Sequence, residues 1–186
     1  MIYLDNNSTT QVDKDVLNEM MPYLNEMYGN SASRTHKFGW EANDAVKLSR
    51  ERVSSLINAK PDEIIFTSGS TEGINFLIKG VYDQYTEKGN HIITVKTEHK
   101  AILDVCSYLE NKGAEITYLN VNEDGLIDLA ELRDSITEKT ILISVMYANN
   151  ETGVIQEIKE IGNIARKNNV FFMTDATQAV GKIPID

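Results

Sequence analysis

Four short polar segments contain the residues that could do chemistry, and each directly follows an apolar run. They are residues 67–73, 96–100, 147–153 and 175–178. If the apolar runs are parallel strands, these segments meet at one edge of the sheet, where open α/β sheets bind ligands. The pattern therefore predicts one site assembled from four loops.

The first segment has the composition of an anion site. Gly69 and Gly73 allow the backbone to approach a ligand, Ser70 and Thr71 add hydroxyl donors, and a predicted helix begins there. The free N–H groups at a helix N-terminus favour a bound phosphate. The Gly-Lys-Ser/Thr ending of a Walker loop is missing, and a helix cap formed by Ser70 without a ligand is the alternative interpretation.

The other segments offer a proton carrier, an amide and a carboxylate. His99 could stack on a flat cofactor or move a proton, and paired asparagines after a buried strand need hydrogen-bond partners. Asp175 ends an apolar run, where a buried carboxylate needs a cation such as a protonated ring nitrogen. The alternatives are a surface helix cap at His99, a simple turn at the asparagines and an N-cap at Asp175. The three histidines have no metal-ligand spacing, so no metal site is predicted.

These segments must be positioned by alternating strands and helices. Short β-branched runs alternate with apolar residues at helical spacing, as in βαβ units around a parallel sheet. The fold class is therefore α/β, with three layers (α/β/α) and a mostly parallel sheet. The predicted strands are Glu63–Phe66, His91–Val95, Glu115–Leu119, Thr140–Met146 and Val170–Thr174. Helices are predicted at 12–27 and 39–58, and on three apolar stripes: Ile74, Leu77, Ile78 and Val81; Ile102, Val105, Cys106 and Leu109; and Val154, Ile158, Ile161 and Ala165.

Composition excludes several classes of protein. The 186 residues include 18 Lys+Arg against 28 Asp+Glu, a net charge of −10, and 41% are hydrophobic. The acidic balance argues against direct binding of nucleic acid, and no apolar run is long enough to span a bilayer. The absence of an export signal and the single cysteine indicate a reducing cytoplasm. Cys106 lies in an apolar stripe, so we interpret it as a buried hydrophobic residue and not as a catalytic thiol.

Six segments spread along the chain match one family in order: residues 3–10, 29–33, 66–72, 97–101, 149–154 and 175–181. Together they resemble the N-terminal part of cysteine desulfurases of the NifS/IscS kind, in the class V aminotransferase group of fold-type I pyridoxal-phosphate enzymes. The resemblance implies pyridoxal 5'-phosphate as the cofactor, with His99 and Asp175 as catalytic residues. The implied cofactor contacts are Ser70 and Thr71 to the phosphate, His99 on the pyridine ring, Asp175 at its nitrogen, Gln178 at the phenolic oxygen, and Asn150 near the cofactor and the substrate carboxylate.

The resemblance also implies an activity and partners. Such enzymes act on L-cysteine as homodimers, release L-alanine and pass persulfide sulfur to an iron–sulfur scaffold or to tRNA thiolation. The alternatives are another class V enzyme (a selenocysteine lyase or a small-molecule transaminase), a desulfurase-like segment without catalysis, and, more distantly, a plain nucleotide-binding α/β domain.

Three functional residues of the family have no counterpart in the matched segments. The family's cofactor-binding lysine, thiolate cysteine and substrate-binding arginine would lie beyond Asp186. We therefore expect residues 12–186, after an N-terminal segment 1–11, to be part of a large domain truncated at its C-terminal side. In the family, two later strands lie between the first and fifth strands of the sheet. Without them we expect the isolated chain to be poorly stable and inactive, which one sharp, high thermal transition would contradict.

Overall fold

A computed structural model describes residues 2–185, which divide into two units: residues 2–66 with 183–185, and residues 67–182. No helix in this part of the chain is both long and apolar enough to cross a bilayer. The helices are α1 (Lys14–Asn25), α2 (Lys37–Leu56), α3 (Ser70–Tyr85), α4 (Lys100–Glu110), α5 (Leu129–Ser135) and α6 (Ile158–Lys167), and the strands are β1 (His91–Val95), β2 (Glu115–Leu119), β3 (Thr140–Ser144) and β4 (Phe171–Met173).

The unit of residues 67–182 is built on a four-stranded sheet. Its strand order is β2-β1-β3-β4, and all three strand pairs are parallel. Ile93 in the central strand β1 pairs with Thr117 on one side and Ile143 on the other. Because every strand runs in the same direction, all four carboxyl ends lie at one edge. Three of the four predicted polar loops follow strands of this sheet, namely β1, β3 and β4, whereas residues 67–73 do not follow a strand.

Helices cover both faces of this sheet. One buried cluster joins Ile92 and Leu142 to α3 and α4, and a second joins Ile93 and Ile143 to α5 and α6. Successive residues of a strand face opposite sides, so β1 and β3 are buried along their whole length. The predicted three-layer α/β/α arrangement is confirmed.

The apolar stripes predict most of the helices in this unit. All four stripe residues of α4 are buried, whereas Leu77 in α3 is 49% exposed. Val154 precedes α6 and does not belong to it. Helix α5 was not predicted, because it has seven residues and buries only Leu132, which leaves no periodic pattern to detect.

The predicted strand Glu63–Phe66 is wrong. Pro61–Glu63 forms a 3-10 turn and residues 64–66 are irregular, with Ile65 66% exposed. A strand needs a neighbour for its backbone hydrogen bonds, and no strand within residues 2–185 pairs with this segment. The carbonyl of Ile64 instead accepts a hydrogen bond from the guanidinium of Arg50, which lies 4.9 Å from the ring centroid of Phe66.

The predicted helices 12–27 and 39–58 correspond to α1 and α2, with shifted ends. Helix α1 begins after Asp13, whose Oδ1 accepts the N–H of Asp15 at 2.8 Å, and it contains Pro22. None of its residues is buried. Helix α2 is capped by His36, whose Nδ1 accepts the N–H of Gly39 at 3.3 Å.

A buried histidine links three strands at the amino edge of the sheet. In His91, Nδ1 lies 2.7 Å from Oγ1 of Thr140 in β3, and Nε2 lies 2.9 Å from Oγ1 of Thr117 in β2. The residue is 5% exposed. Burial, the largest effect, lowers the pKa of His91, while Glu115 opposes and Lys139 reinforces the shift. The imidazole therefore resists protonation in the folded chain.

This histidine should make the chain sensitive to acid. As pH falls below about 6.5, the unfolded His91 takes up a proton before the folded one does, so the free energy of unfolding decreases. We expect His91→Gln to reduce that decrease in denaturant titrations between pH 7 and 5. Thr117→Val is the control, because it removes one partner, costs about 1 kcal/mol and leaves the dependence on pH. Identical pH dependence in wild type and His91→Gln would contradict the assignment.

Candidate cofactor site

The loops after β1, β3 and β4 are bonded to one another at the carboxyl edge of the sheet. Asn149 Nδ2 donates to the carbonyl of Thr97 at 2.8 Å. The N–H of Tyr147 donates to the carbonyl of Asp175 at 2.9 Å. Because β1, β3 and β4 are adjacent in the sheet, these bonds join the loops that carry four of the six predicted site residues: His99, Asn150, Asp175 and Gln178.

His99 is the N-cap of α4. Its Nδ1 accepts the N–H of Ala101 at 3.2 Å, as in the cap interpretation of the sequence. An accepting Nδ1 carries no proton, so in the neutral ring the proton is on Nε2. The side chain is exposed. The cap fixes the Nδ1 edge of the imidazole, and Nε2 takes no part in it.

The N-terminus of α3 is open to a ligand. Its N-cap is Gly69, without a side-chain cap, so the interpretation of Ser70 as the cap is wrong. A Cβ added at Gly69 would meet nothing within 4 Å, and Ser70 and Thr71 are exposed. The first N–H groups of a helix have no partner within it, and these residues therefore fit a bound phosphate.

A carboxylate already lies near this helix end. Oε2 of Glu72 accepts the N–H of Ser68 at 2.7 Å and its hydroxyl at 2.6 Å, and these bonds lower the pKa of Glu72. Both donors in these bonds belong to Ser68, in the loop before the helix, and not to the first turn of the helix. Further along α3, Ile74 belongs to the same buried cluster as Met173, two residues before Asp175.

Asp175 is a buried carboxylate held by the backbone. It is 9% exposed, and its Oδ1 accepts the N–H of Thr177 at 2.9 Å. Turns and no helix follow at 177–182, so Asp175 is not a helix N-cap. A buried carboxylate of this kind suits a cationic ring nitrogen. In the turns that follow, Oε1 of Gln178 accepts a hydrogen bond from Lys182 Nζ.

The two asparagines have different positions. Asn149 forms the turn that the sequence offered as an alternative, since its Oδ1 accepts the N–H groups of Glu151 and Thr152, each at 2.9 Å. Asn150, the predicted site residue, is half-buried in the same turn. The sequence alone does not distinguish Asn149 from Asn150, because the two residues are adjacent and of the same type.

Glu98 is a buried acid that the sequence analysis missed. It is 6% exposed, and its Oε1 accepts the N–H of Met146 at 2.6 Å. Burial raises the pKa of Glu98 to about 8, the charge of Asp175 adds to the shift, and the Met146 bond opposes it. The available signal was the same as for Asp175: a carboxyl group shortly after an apolar run.

The chain belongs to the class-V aminotransferase family, whose sequence profile matches residues 2–186. It is 57% identical over 185 residues to the cysteine desulfurase IscS of Ehrlichia chaffeensis, covering all of this chain and 45% of that protein. The structure of a NifS-like protein matches with a TM-score of 0.96 at 41% identity, covering 100% of this chain and 51% of the other. The structure of SspA in complex with cysteine matches with a TM-score of 0.95 at 37% identity, covering 99% and 53%.

The chain thus spans about half the length of the curated relatives it matches. The resemblance inferred from the six segments is confirmed, and the sheet described above is part of the fold of these NifS-like enzymes.

Cys106 should be unreactive in the folded chain. It is fully buried, and burial, with smaller contributions from Glu98 and Glu110, raises its pKa to about 12. Because the thiolate is the reactive form, we expect iodoacetamide at pH 8 to label the native chain very slowly and the denatured chain rapidly. Since the chain has one cysteine, the denatured sample is the matched control. Equal labelling rates would contradict the interpretation of Cys106 as a core residue.

Proposed function

We propose that this chain provides most of the cofactor pocket of a pyridoxal-phosphate-dependent cysteine desulfurase. Such an enzyme converts L-cysteine to L-alanine and holds the sulfur as a persulfide. The observation that carries the proposal is the 57% identity, over the whole of this chain, to the IscS of Ehrlichia chaffeensis. The similarity to SspA, whose structure was solved with cysteine, supports cysteine as the substrate.

In this proposal the N-terminus of α3 holds the cofactor phosphate. Ser70 and Thr71 supply hydroxyl groups, and the N–H groups of the first turn supply further donors and the positive end of the helix dipole. The open space in front of Gly69 supports this role. The phosphate would thus be bound without a lysine in the loop.

Asp175 and Gln178 would set the charge of the cofactor ring. When bound, pyridoxal phosphate supplies an electron sink for the substrate amino acid. The carboxylate of Asp175 would pair with a protonated ring nitrogen, because an ion pair in a buried place favours both charged forms. The amide of Gln178 would donate to the phenolic oxygen.

His99 and Asn150 would act beside the ring and the substrate. His99 is exposed and its cap uses only Nδ1, so its ring could stack on the cofactor and its Nε2 could move protons. Asn150 would hydrogen-bond near the substrate carboxylate. Cys106 does not receive the sulfur, because it is buried and protonated. The persulfide would form on a cysteine outside the present sequence. The lysine that binds the cofactor covalently would also lie outside it.

The whole protein would be a cytoplasmic homodimer. Its sulfur would pass to an iron–sulfur scaffold or to tRNA thiolation. Residues 12–186 would belong to the large cofactor-binding domain, preceded by a short N-terminal segment. These proposals follow from the family resemblance, which extends over the whole chain.

The activity can be tested on the protein purified from its source. Borohydride reduction makes the link between this cofactor and a lysine permanent, so intact mass reports whether the cofactor is attached and how long the chain is. We then expect equal amounts of alanine and sulfide from L-cysteine in the presence of a thiol reductant. Amino transfer without sulfide, or turnover of selenocysteine alone, would assign a rival class-V activity. A mass equal to that of the 186-residue chain, without the cofactor increment, would indicate a non-catalytic segment.

Asp175→Asn should weaken cofactor binding. A hydrogen bond to a charged group contributes about 1.5–3 kcal/mol, so its loss should raise the Kd for pyridoxal phosphate about tenfold or more. Asp104→Asn is the matched control, since Asp104 is an exposed carboxylate paired with Lys100 at 2.8 Å. Equilibrium dialysis of the whole protein, freed of cofactor, measures both variants. Equal affinities for Asp175→Asn and wild type would remove Asp175 from the site.

A further inference from the structure

Glu98 joins two of the loops that form the site. It lies between Thr97, whose carbonyl is bonded to Asn149, and His99, the cap of α4. Its own N–H donates to the carbonyl of Val95 at 3.2 Å, and its Oε1 accepts the N–H of Met146 just beyond β3. Both the backbone and the side chain of Glu98 therefore hold the loop after β1.

The surroundings of the Glu98 carboxyl group favour its neutral form. Its Oε2 is buried and has no hydrogen-bond partner within residues 2–185. An ionised carboxylate with an unpaired buried oxygen is costly, whereas a protonated carboxyl group is not charged. The titratable groups that interact with it are Asp175, after β4, and Cys106 on α4. Two ionised carboxylates at this edge would repel each other.

We propose that Glu98 is a positioning residue of the cofactor site: as a buried neutral acid it fixes the loop that carries His99 to the end of β3, and it leaves Asp175 as the charged carboxyl group. This inference rests on the proposed function in one respect only: the proposed function identifies the ligand as pyridoxal phosphate. Glutamine should therefore replace Glu98, because it is neutral and keeps an accepting oxygen. Leucine should not, because it leaves the N–H of Met146 unpaired.

The proton on Glu98 can be tested without the cofactor. Denaturant unfolding of the chain is measured from pH 5 to 8 for wild type, Glu98→Gln and the exposed control Glu123→Gln. A group whose folded pKa is raised stabilises the fold fully below its unfolded pKa, and that stability is lost as pH rises through the folded value. The unfolding constant of wild type relative to Glu98→Gln should therefore rise about tenfold per pH unit across this range. Glu123→Gln should follow wild type, and parallel curves for wild type and Glu98→Gln would overturn the proposal.

A second measurement needs no variant. The amide proton of Met146 donates to Glu98, so its NMR chemical shift should move with a midpoint near pH 8, the raised pKa of that carboxyl group. A shift that is constant between pH 6 and 9 would overturn the assignment, even if the variants failed to fold.

The positioning role is tested by the cofactor affinity of the whole protein, purified as in the activity test, at pH 7. We expect Glu98→Gln to bind pyridoxal phosphate within about threefold of wild type, and Glu98→Leu to bind about tenfold more weakly or worse, as an unpaired buried N–H implies. A purely space-filling role predicts similar affinities for the two variants, and a required negative charge predicts a weak Glu98→Gln; either result would overturn the proposal. If the whole wild-type protein does not bind the cofactor, the proposed function fails, and the pH measurements decide the state of Glu98 independently.

Discussion

Backbone groups just beyond the end of a buried strand have no further strand to pair with, yet they cannot remain unpaired out of reach of water. This constraint acts at the carboxyl ends of β1, β3 and β4, which lie side by side. The chain meets it by bonding each loop to its neighbour. Glu98 accepts the N–H of Met146, Asn149 donates to Thr97, and the carbonyl of Asp175 accepts the N–H of Tyr147. The same bonds hold together the loops that carry His99, Asn150 and Asp175.

The positions of these site residues therefore depend on the hydrogen bonds that join the loops beyond the strand ends. Asp175 uses its carbonyl for the neighbouring loop and its Oδ1 for Thr177, so both its backbone and its side chain are fixed. His99 is fixed in a similar way, because its Nδ1 caps α4. Such restraint costs conformational entropy during folding, before any ligand arrives, and groups that are already ordered bind with a smaller entropic loss. The large buried clusters on both faces of the sheet supply the stability that offsets this cost.

Sequence patterns predict the parts of this fold that depend on local burial. The apolar runs at His91–Val95 and Thr140–Met146 are buried on both faces and identify central strands. The segment Glu63–Phe66 has a similar composition, but a strand also requires a neighbour, and composition contains no information about pairing. The site was predicted at the level of loops, and the roles of individual side chains were harder to assign. Asn149 and Asn150 are identical in type, so their roles can be told apart only from the hydrogen bonds that each side chain makes in the structure. Acids are usually exposed, so the position of Glu98 after an apolar run becomes informative only when the three-dimensional packing shows that this carboxyl group is buried.

Helix α1 of the first unit differs from the sheet in how it is stabilised. Helix α1 has twelve residues, contains a proline and buries none of its side chains. Isolated helices of this length are marginal in water, and most helical stability in proteins comes from packing. Its backbone hydrogen bonds therefore open at little cost in free energy, while those of β1 and β3 open only when the unit around them unfolds. Stability is consequently graded along the chain: it is low near the amino terminus and rises toward the strands that hold the site. A protease or an exchanging solvent would thus reach the amino-terminal helix well before it reached the residues proposed to bind the cofactor.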